Sequence, residues 1–376
     1  MLTLSLLLLL AHRPSTPVVH GPRTTTGARP TYRFFSHEPG VADAKLRFRC
    51  SFDRPRLHRC ARRYRQRLSL GRHVLRVVAV DPAGRRSRVA RVQVNVLKGA
   101  RIRRIDVGGR PFSLVDADGS IWVANFLSGT VQRIDPATNR VIARIQVGGE
   151  PYGLAADGGA VWVGNNGRDD VAKIDTATNR VVARVTVGDR PIGIAYDSGT
   201  VWVADFGDSA VTRIDAATST VTGRAVVAGE HEDVAVGFGS IWVPSEEGTL
   251  TRINPGTLAV QATITVASDP DFALVADGSV WTTAYGGNVI SRIDPATNAV
   301  AARLPAHVGL QGIAFDGHDL WAVNYGEGVL LRLDERTGKT LARWSTDGGP
   351  RDVLLAYGSV WVANSTSTTV LRLTPP

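Results

Sequence analysis

Residues 119–141 read GSIWVANFLSGTVQRIDPATNRV, residues 159–181 read GAVWVGNNGRDDVAKIDTATNRV, and residues 199–221 read GTVWVADFGDSAVTRIDAATSTV. The same pattern returns at a fixed step. Seven tryptophans carry it, Trp122, Trp162, Trp202, Trp242, Trp281, Trp321 and Trp361, at intervals of 40, 40, 40, 39, 40 and 40 residues. A constant period in this range signals a repeat architecture, in which each unit buries its apolar face against the next. Each unit holds four short β signals, as in GEPYGLAAD, AVWVGN, VAKID and RVVARVTVG. The last three alternate or run apolar between turn residues, as strands do.

Between the third and fourth signals stands DPATN or a variant of it. Asp135, Asp175 and Asp294 open the turn and accept backbone hydrogen bonds there, while Asn139, Asn179 and Asn298 tolerate the left-handed conformation that closes it. Their regularity is turn chemistry, not a ligand set.

Four-stranded units near 40 residues have the size of β-propeller blades. The chain ends support a closed ring. The seventh unit stops at VLRLTPP with no fourth strand, and the orphan run ARIRRIDVGG (100–109) precedes the first unit. Placing the orphan in the last blade removes both exposed sheet edges. The expectation is a seven-bladed propeller over 98–376 with strand-swapped closure. An open solenoid of seven units is the alternative, and it leaves the complementary ends unexplained. Each Trp is expected between neighbouring blades; Trp344, the eighth, falls outside the series on the sixth blade's outer strand.

The composition is that of a globular chain, 43% hydrophobic and 21% charged. Its net charge of +10 is unevenly divided: residues 1–100 hold 21 Lys and Arg against 4 Asp and Glu, and the remainder is net acidic. The Arg residues are scattered along strands, which reads first as solvated faces. A basic body can also meet an anionic wall polymer. Nucleic acid is not the expected partner, because the ring is acidic and no aromatic-and-basic stacking platform stands out.

Leu2–Ala11 has the length of a signal-peptide core and is too short to span a bilayer. Residues 1–17 are therefore read as a signal peptide, although no Lys or Arg precedes the run and no A-x-A site comes after it. A secreted or cell-surface, bacterial, monomeric protein with no transmembrane span is expected. Residues 18–29 read as a tether. Cys50 and Cys60, the only cysteines, are expected to form a disulfide in that oxidising setting.

Residues 30–97 carry period-2 runs such as AKLRFRCSFD and RVARVQVNV, as half-buried strands do. The stretch LSLGRHVLRVVAVDPAGR resembles the C-terminal half of bacterial immunoglobulin-like modules, and FRCSFD with the second Cys resembles a subset carrying a local cysteine pair; Arg85 stands where that pattern has Asn. The ring repeat VWVxN…xVxRIDxATNxVxxxIxVGxxPxGLAxD closely resembles the YncE-like, or YVTN-type, seven-bladed propellers, to which the virginiamycin B lyase-like propellers are related. The resemblances imply an all-β chain, an immunoglobulin-like β-sandwich followed by a propeller. They imply little about function, since propellers serve many tasks.

Copies compared at equal phase show where the chain departs from its own rule. Eleven residues before each Trp stand Pro111, Pro151, Pro191, His231, Pro270, Leu310 and Pro350; one residue on stand Phe112, Tyr152, Ile192, Glu232, Asp271, Gln311 and Arg351. The fourth copy opens GEHEDVAV, with Glu230, His231, Glu232 and Asp233, and continues into PSEEG with Glu246 and Glu247; the fifth adds Asp269 and Asp271. In a propeller these loops share the channel face. Carboxylates and an imidazole gathered there suit a hard cation such as Mg²⁺ or Ca²⁺, with Glu232 and Asp271 as ligands, or acid–base chemistry. Tyr152, Tyr285 and Tyr325, with Gln311 and Arg351, are expected to line the remainder. The expected role is binding of an extracellular protein, glycan or small ligand on the channel face of blades 4 and 5. A metal-assisted lyase or hydrolase in the same funnel is the alternative, and a drifted blade with a solvated acidic rim is the plainest reading.

The lyase-like relatives place a catalytic His at the start of an inner strand and a Glu three residues after the Trp. Here His231 comes one position early, and the residue three after the Trp is Asn125, Asn165, Asp205, Ser245, Ala284, Asn324 or Asn364. That catalytic set does not carry over, and no catalytic residue is assigned.

Overall fold

A computed structural model describes residues 13–25, 29–69, 71–96 and 99–375. The chain divides into two units at Arg101/Ile102. No described helix is long and apolar enough to cross a membrane.

The first unit has two antiparallel sheets. Val18–His20, Thr31–Phe35 and Arg63–Arg65 form one; Ala90–Val96, Gly71–Val80, Arg47–Phe52 and His58–Cys60 form the other, in that order, with Thr24–Thr25 added in parallel at its edge. Alternation sends one face of each strand inward. Tyr32, Phe34, Phe48, Phe52, Leu75, Val77, Val92 and Val94 make a single core between the sheets. Cys50 and Cys60 are disulfide-bonded, with Cα atoms 5.9 Å apart. The loop they close is short, so the bond contributes about 2–3 kcal/mol.

Two details depart from the sequence reading. Val18–His20 lies in the stretch read as a tether, yet it pairs with Thr31–Phe35, Val18 opposite Phe35 and His20 opposite Arg33. Ser15, inside the stretch read as a leader, donates its N–H to His37 O at 2.8 Å. Residues 1–12 of that leader lie outside the described residues. Arg85, in place of the pattern's Asn, closes the turn by pairing with Asp81 (2.5 Å) and Glu38 (2.9 Å).

The second unit is the ring. Seven four-stranded sheets succeed one another in chain order, and the seventh is built from Pro350–Ala356, Ser359–Asn364, Thr369–Thr374 and the early strand Arg101–Asp106. Closure is strand-swapped, as the chain ends imply. Val107 N donates to Thr368 O at 2.8 Å, and Arg110 Nε to Ser365 O at 2.6 Å.

The Trp series occupies the blade interfaces. Six of the seven have side chains at most 1% exposed, and Trp202 is 3% exposed. Trp162 packs on Ile194, Val201, Val203 and Ile214 of the following blade, and Trp361 packs on Leu114, Ile121, Val123 and Ile134 of the first. Trp344 stacks on Trp321 at 5.4 Å.

A second device, unread in the sequence, repeats with the Trp. A cation on the third strand lies over its own blade's indole: Arg133 on Trp122 (5.1 Å), Lys173 on Trp162 (4.8 Å), Arg252 on Trp242 (4.9 Å) and Arg372 on Trp361 (4.7 Å). The same groups reach the next blade's turn. Arg133 donates to Thr176 O and Asn179 Oδ1, Arg252 to Pro295 O and Asn298 Oδ1, and Arg372 to Pro136 O and Asn139 Oδ1. Asn139, Asn179 and Asn298 have φ of 58°, 55° and 57°, the left-handed turn positions expected. They also serve as acceptors for the preceding blade.

Candidate functional site

The inner strands of most blades run six or seven residues, but those of blades 4 and 5 are only Ala235–Gly237 and Ala273–Ala276. The chain before them, GEHED and SDPDF, leaves the ladder at the channel mouth. Glu232, Asp269 and Asp271 of these stretches face a cavity of about 330 Å³ that Glu246, Tyr285, Gln311, Tyr325 and Arg351 also line. The sequence departures of these blades therefore have a structural consequence: they open a funnel.

The residues one place after each blade's opening position divide the mouth into two arcs. Phe112 and Tyr152 meet edge to face at 4.8 Å and, with Ile192, make an apolar arc over blades 1 to 3. Glu232, Asp271, Gln311 and Arg351 make a polar arc over blades 4 to 7. Arg351 joins the two. Its guanidinium lies 5.0 Å from the rings of both Phe112 and Tyr152 and donates to Glu232 Oε2 at 2.6 Å, across the mouth from blade 7 to blade 4. Gln311 Nε2 donates to Asp271 Oδ2 at 2.7 Å. Gln311 Oε1 and Arg351 Nε are buried with no partner among the described residues.

A deeper layer lines the channel one position further on each strand. Here Gly153, Gly193 and Gly312 allow the inner strands to converge: a Cβ at Gly153 would collide with Ile192 O, and one at Gly312 would stand 2.9 Å from Arg351 O. Where the layer carries Asp, the carboxylate clamps the neighbouring blade. Asp233 Oδ2 accepts Ala273 N–H at 3.0 Å, and Asp352 Oδ2 accepts Leu114 N–H at 2.8 Å.

The expected site residues divide accordingly. Glu232, Glu246, Asp271, Tyr285, Gln311, Tyr325 and Arg351 are brought together. Tyr152, on the apolar arc of the mouth, and Asp233, in the layer below it, line an adjoining cavity that Glu232 and Arg351 also border. Glu230 stays at the rim, 3.9 Å from Arg190. His231 is not gathered. It replaces the opening Pro and turns inward, fully buried, with Nδ1 3.2 Å from Pro244 O and Nε2 3.1 Å from Val227 O. Burial lowers its pKa, and its contacts are with backbone. The metal expectation gains no closed ligand set. The only three ligand-type residues among those described whose atoms lie within 4.8 Å of one another are Cys50, His58 and Cys60, and two of these are disulfide-bonded. What sequence comparison missed was partnership: Glu232 with Arg351, and Asp271 with Gln311. For Glu232 and Arg351, opposite charges at one repeat phase were the available signal.

Burial at the funnel and in the channel below it raises the pKa of Asp271, Glu246 and Asp233. Desolvation, then the Glu232 charge, lifts Asp271 well above the usual carboxylate range, only partly offset by Arg351. Glu246 rises for the same first two reasons. Desolvation pushes Asp233 up to about 7, with Asp352 and Glu232 adding repulsion. An unfolded aspartate ionises near pH ~4. Above that pH the native ring still holds protons that the unfolded chain has released. The stability this provides is complete below about pH 4 and is lost as pH rises through the folded-state value. Asp233→Asn is expected to flatten the fall in melting temperature between about pH 4 and about pH 7. Thermal unfolding of both proteins across that window tests it, and parallel profiles would show that Asp233 does not set the fall.

No protein-family model matches the chain, and no curated protein matches it. Among solved structures, Kuenenia stuttgartiensis hydrazine synthase superposes with a TM-score of 0.63 at 20% identity, over 69% of this chain and 94% of that one. The computationally designed Ika8 protein superposes with a TM-score of 0.56 at 13% identity, over 81% of this chain and 94% of that one. At these identities the likeness is one of fold.

Proposed function

We propose that the chain is a secreted or cell-surface binding protein whose propeller holds a small amine-bearing cation in the funnel of blades 4 to 7. The observation that carries this reading is an excess of acceptors. Glu232, Glu246, Asp269 and Asp271 face one cavity with the single cation Arg351, itself paired to Glu232. Gln311 Oε1 adds a buried acceptor with no donor among the described residues. A ligand that satisfies these groups brings N–H donors and positive charge. Tyr285 and Tyr325, edge to face at 6.3 Å, offer ring faces that attract a cation. The cavity size suits a small molecule. The apolar run Leu2–Ala11 and the Cys50–Cys60 bond support export. The ring is read as YncE-like and the first unit as immunoglobulin-like on their motifs.

Calorimetric titration with spermidine, with a neutral disaccharide as control, tests the ligand class. Binding of spermidine is expected to weaken about tenfold or more, roughly 1.4 kcal/mol per tenfold, in Glu246→Gln/Asp271→Asn with the fold intact by circular dichroism. Affinity for the disaccharide alone, or an unchanged affinity in the double variant, would overturn the cation reading.

A further inference from the structure

The first unit carries a surface that the funnel does not explain. In its larger sheet, Phe48, Cys50, Leu75, Val77, Val92 and Val94 point into the core, so the alternate residues point out. The register sets outward arginines against each other. Arg49 is opposite Arg59, and Arg76 is opposite Arg91. Arg76 is also opposite Ser51, two residues from Arg49, so the four guanidiniums cross four adjacent strands, a band roughly 14 Å wide. Arg47 and Arg72 lie on the same face.

Like charges directly opposite on a sheet destabilise it, and of the unit's carboxylates only Asp53, already bound to His73, acts on one of these arginines, Arg76. All four carboxylates are already engaged: Asp43 by His37, Asp53 by His73, and Glu38 and Asp81 by Arg85. None of the six arginines forms an ion pair among the described residues. Arg49 Nε and Arg76 Nη1 are buried without an acceptor among those residues. At the Arg72 end the face sinks into a groove of about 530 Å³ that also takes in Arg23, Gln93 and Asn95. The arginines that look scattered along the sequence are, in the fold, one field.

We propose that this face is a docking surface for a linear, base-free phosphate polymer. Guanidinium forks match phosphate oxygens bidentately. The outward positions of the sheet carry no carboxylate to repel the chain. They carry no aromatic ring either, so no platform for stacking bases is present, and the phosphate backbone is what the face can read. The unfavourable Arg–Arg pairs are then relieved by the anion that binds them.

The test uses the full chain and long-chain inorganic polyphosphate as probe, with fluorescence anisotropy at two salt concentrations, beside single-stranded DNA, duplex DNA and phosphatidylglycerol vesicles. Polyphosphate is expected to bind most tightly per phosphate and to weaken steeply with salt. Arg59→Gln/Arg91→Gln should lose at least tenfold in affinity, with a salt slope smaller by about 0.7 for each contact removed. Its melting temperature should be unchanged or higher, because each change removes half of a repulsive pair, an outcome a merely structural role for these arginines does not produce. Arg47→Gln/Arg72→Gln, both exposed, gives a second reading should the first variant unfold. No polyphosphate binding at low salt, wild-type affinity in the folded variants, or tighter binding of DNA or vesicles would overturn the proposal.

Discussion

Arg351→Met is expected to destabilise the ring by about 3 kcal/mol at neutral pH, because breaking a buried pair strands the remaining charge. The Arg351 side chain is 14% exposed and that of Glu232 is 19% exposed. Without the guanidinium, Glu232 and Asp271 face each other in a desolvated mouth, and the rings of Phe112 and Tyr152 lose the cation packed against them. The loss should shrink as pH falls, since Asp271, whose pKa burial already raises, takes up a proton more readily in the native ring than in the unfolded chain. Glu232→Gln added to Arg351→Met should restore part of the stability, because removing both members of a buried pair is less damaging than removing one. Urea denaturation of the wild type, the single and the double variant measures this directly. Equal losses in the single and double variants, independent of pH, would show that packing and not charge is what Arg351 contributes.

Trp361→Ala is expected to cost about 3–5 kcal/mol, the range for truncating a buried aromatic side chain. Trp361 is fully buried and bridges the seventh blade to Leu114, Ile121 and Val123 of the first, beside Ile105 of the swapped strand and Val107 just after it. Its loss opens a cavity at the one interface that joins the ring's two ends. The same substitution at Trp162, between two blades joined in sequence, should cost a similar amount. The two variants should differ in their tendency to associate. Loosening the closure exposes the free edge of Thr369–Thr374, which pairs with Arg101–Asp106 in the intact ring, and unpaired edges invite association. Thermal unfolding with light scattering separates the two variants: Trp361→Ala should aggregate at lower temperature than Trp162→Ala. A cost below about 1 kcal/mol at Trp361 would mean that closure rests on the strand's hydrogen bonds, not on this contact.

Much of the ring was legible because its information is periodic. The Trp at each interface, the Asp and Asn of the turns and the seventh blade's missing fourth strand are all set by phase, so local chemistry repeated seven times leaves little freedom in how the units stack. The site was legible only as a break in that pattern. Glu232, Glu246 and Asp271 could be named because they violate the repeat, yet His231 violates it too and proves to be a buried side chain bound to backbone carbonyls. A departure from consensus marks where the chain changes. It does not say whether the new side chain turns toward the channel or into the blade, because that depends on where the inner strand leaves its ladder.

Period, alternation and turn chemistry, all properties of neighbouring residues, thus determined an all-β chain, the seven blades and their strand-swapped closure. Distance and direction across the fold decided the rest. The Glu232–Arg351 pair spans 119 residues, and it exists only because ring closure sets blade 7 across the mouth from blade 4. The third-strand cations reach the next blade's turn only through the angle between blades. The opposed arginines of the first unit became a charged field only through strand register, where a shift of one residue would have turned them inward. Local sequence specifies which elements form; which side chains meet is set by closure, inter-blade angle and register, and none of these is a property of any short stretch of chain.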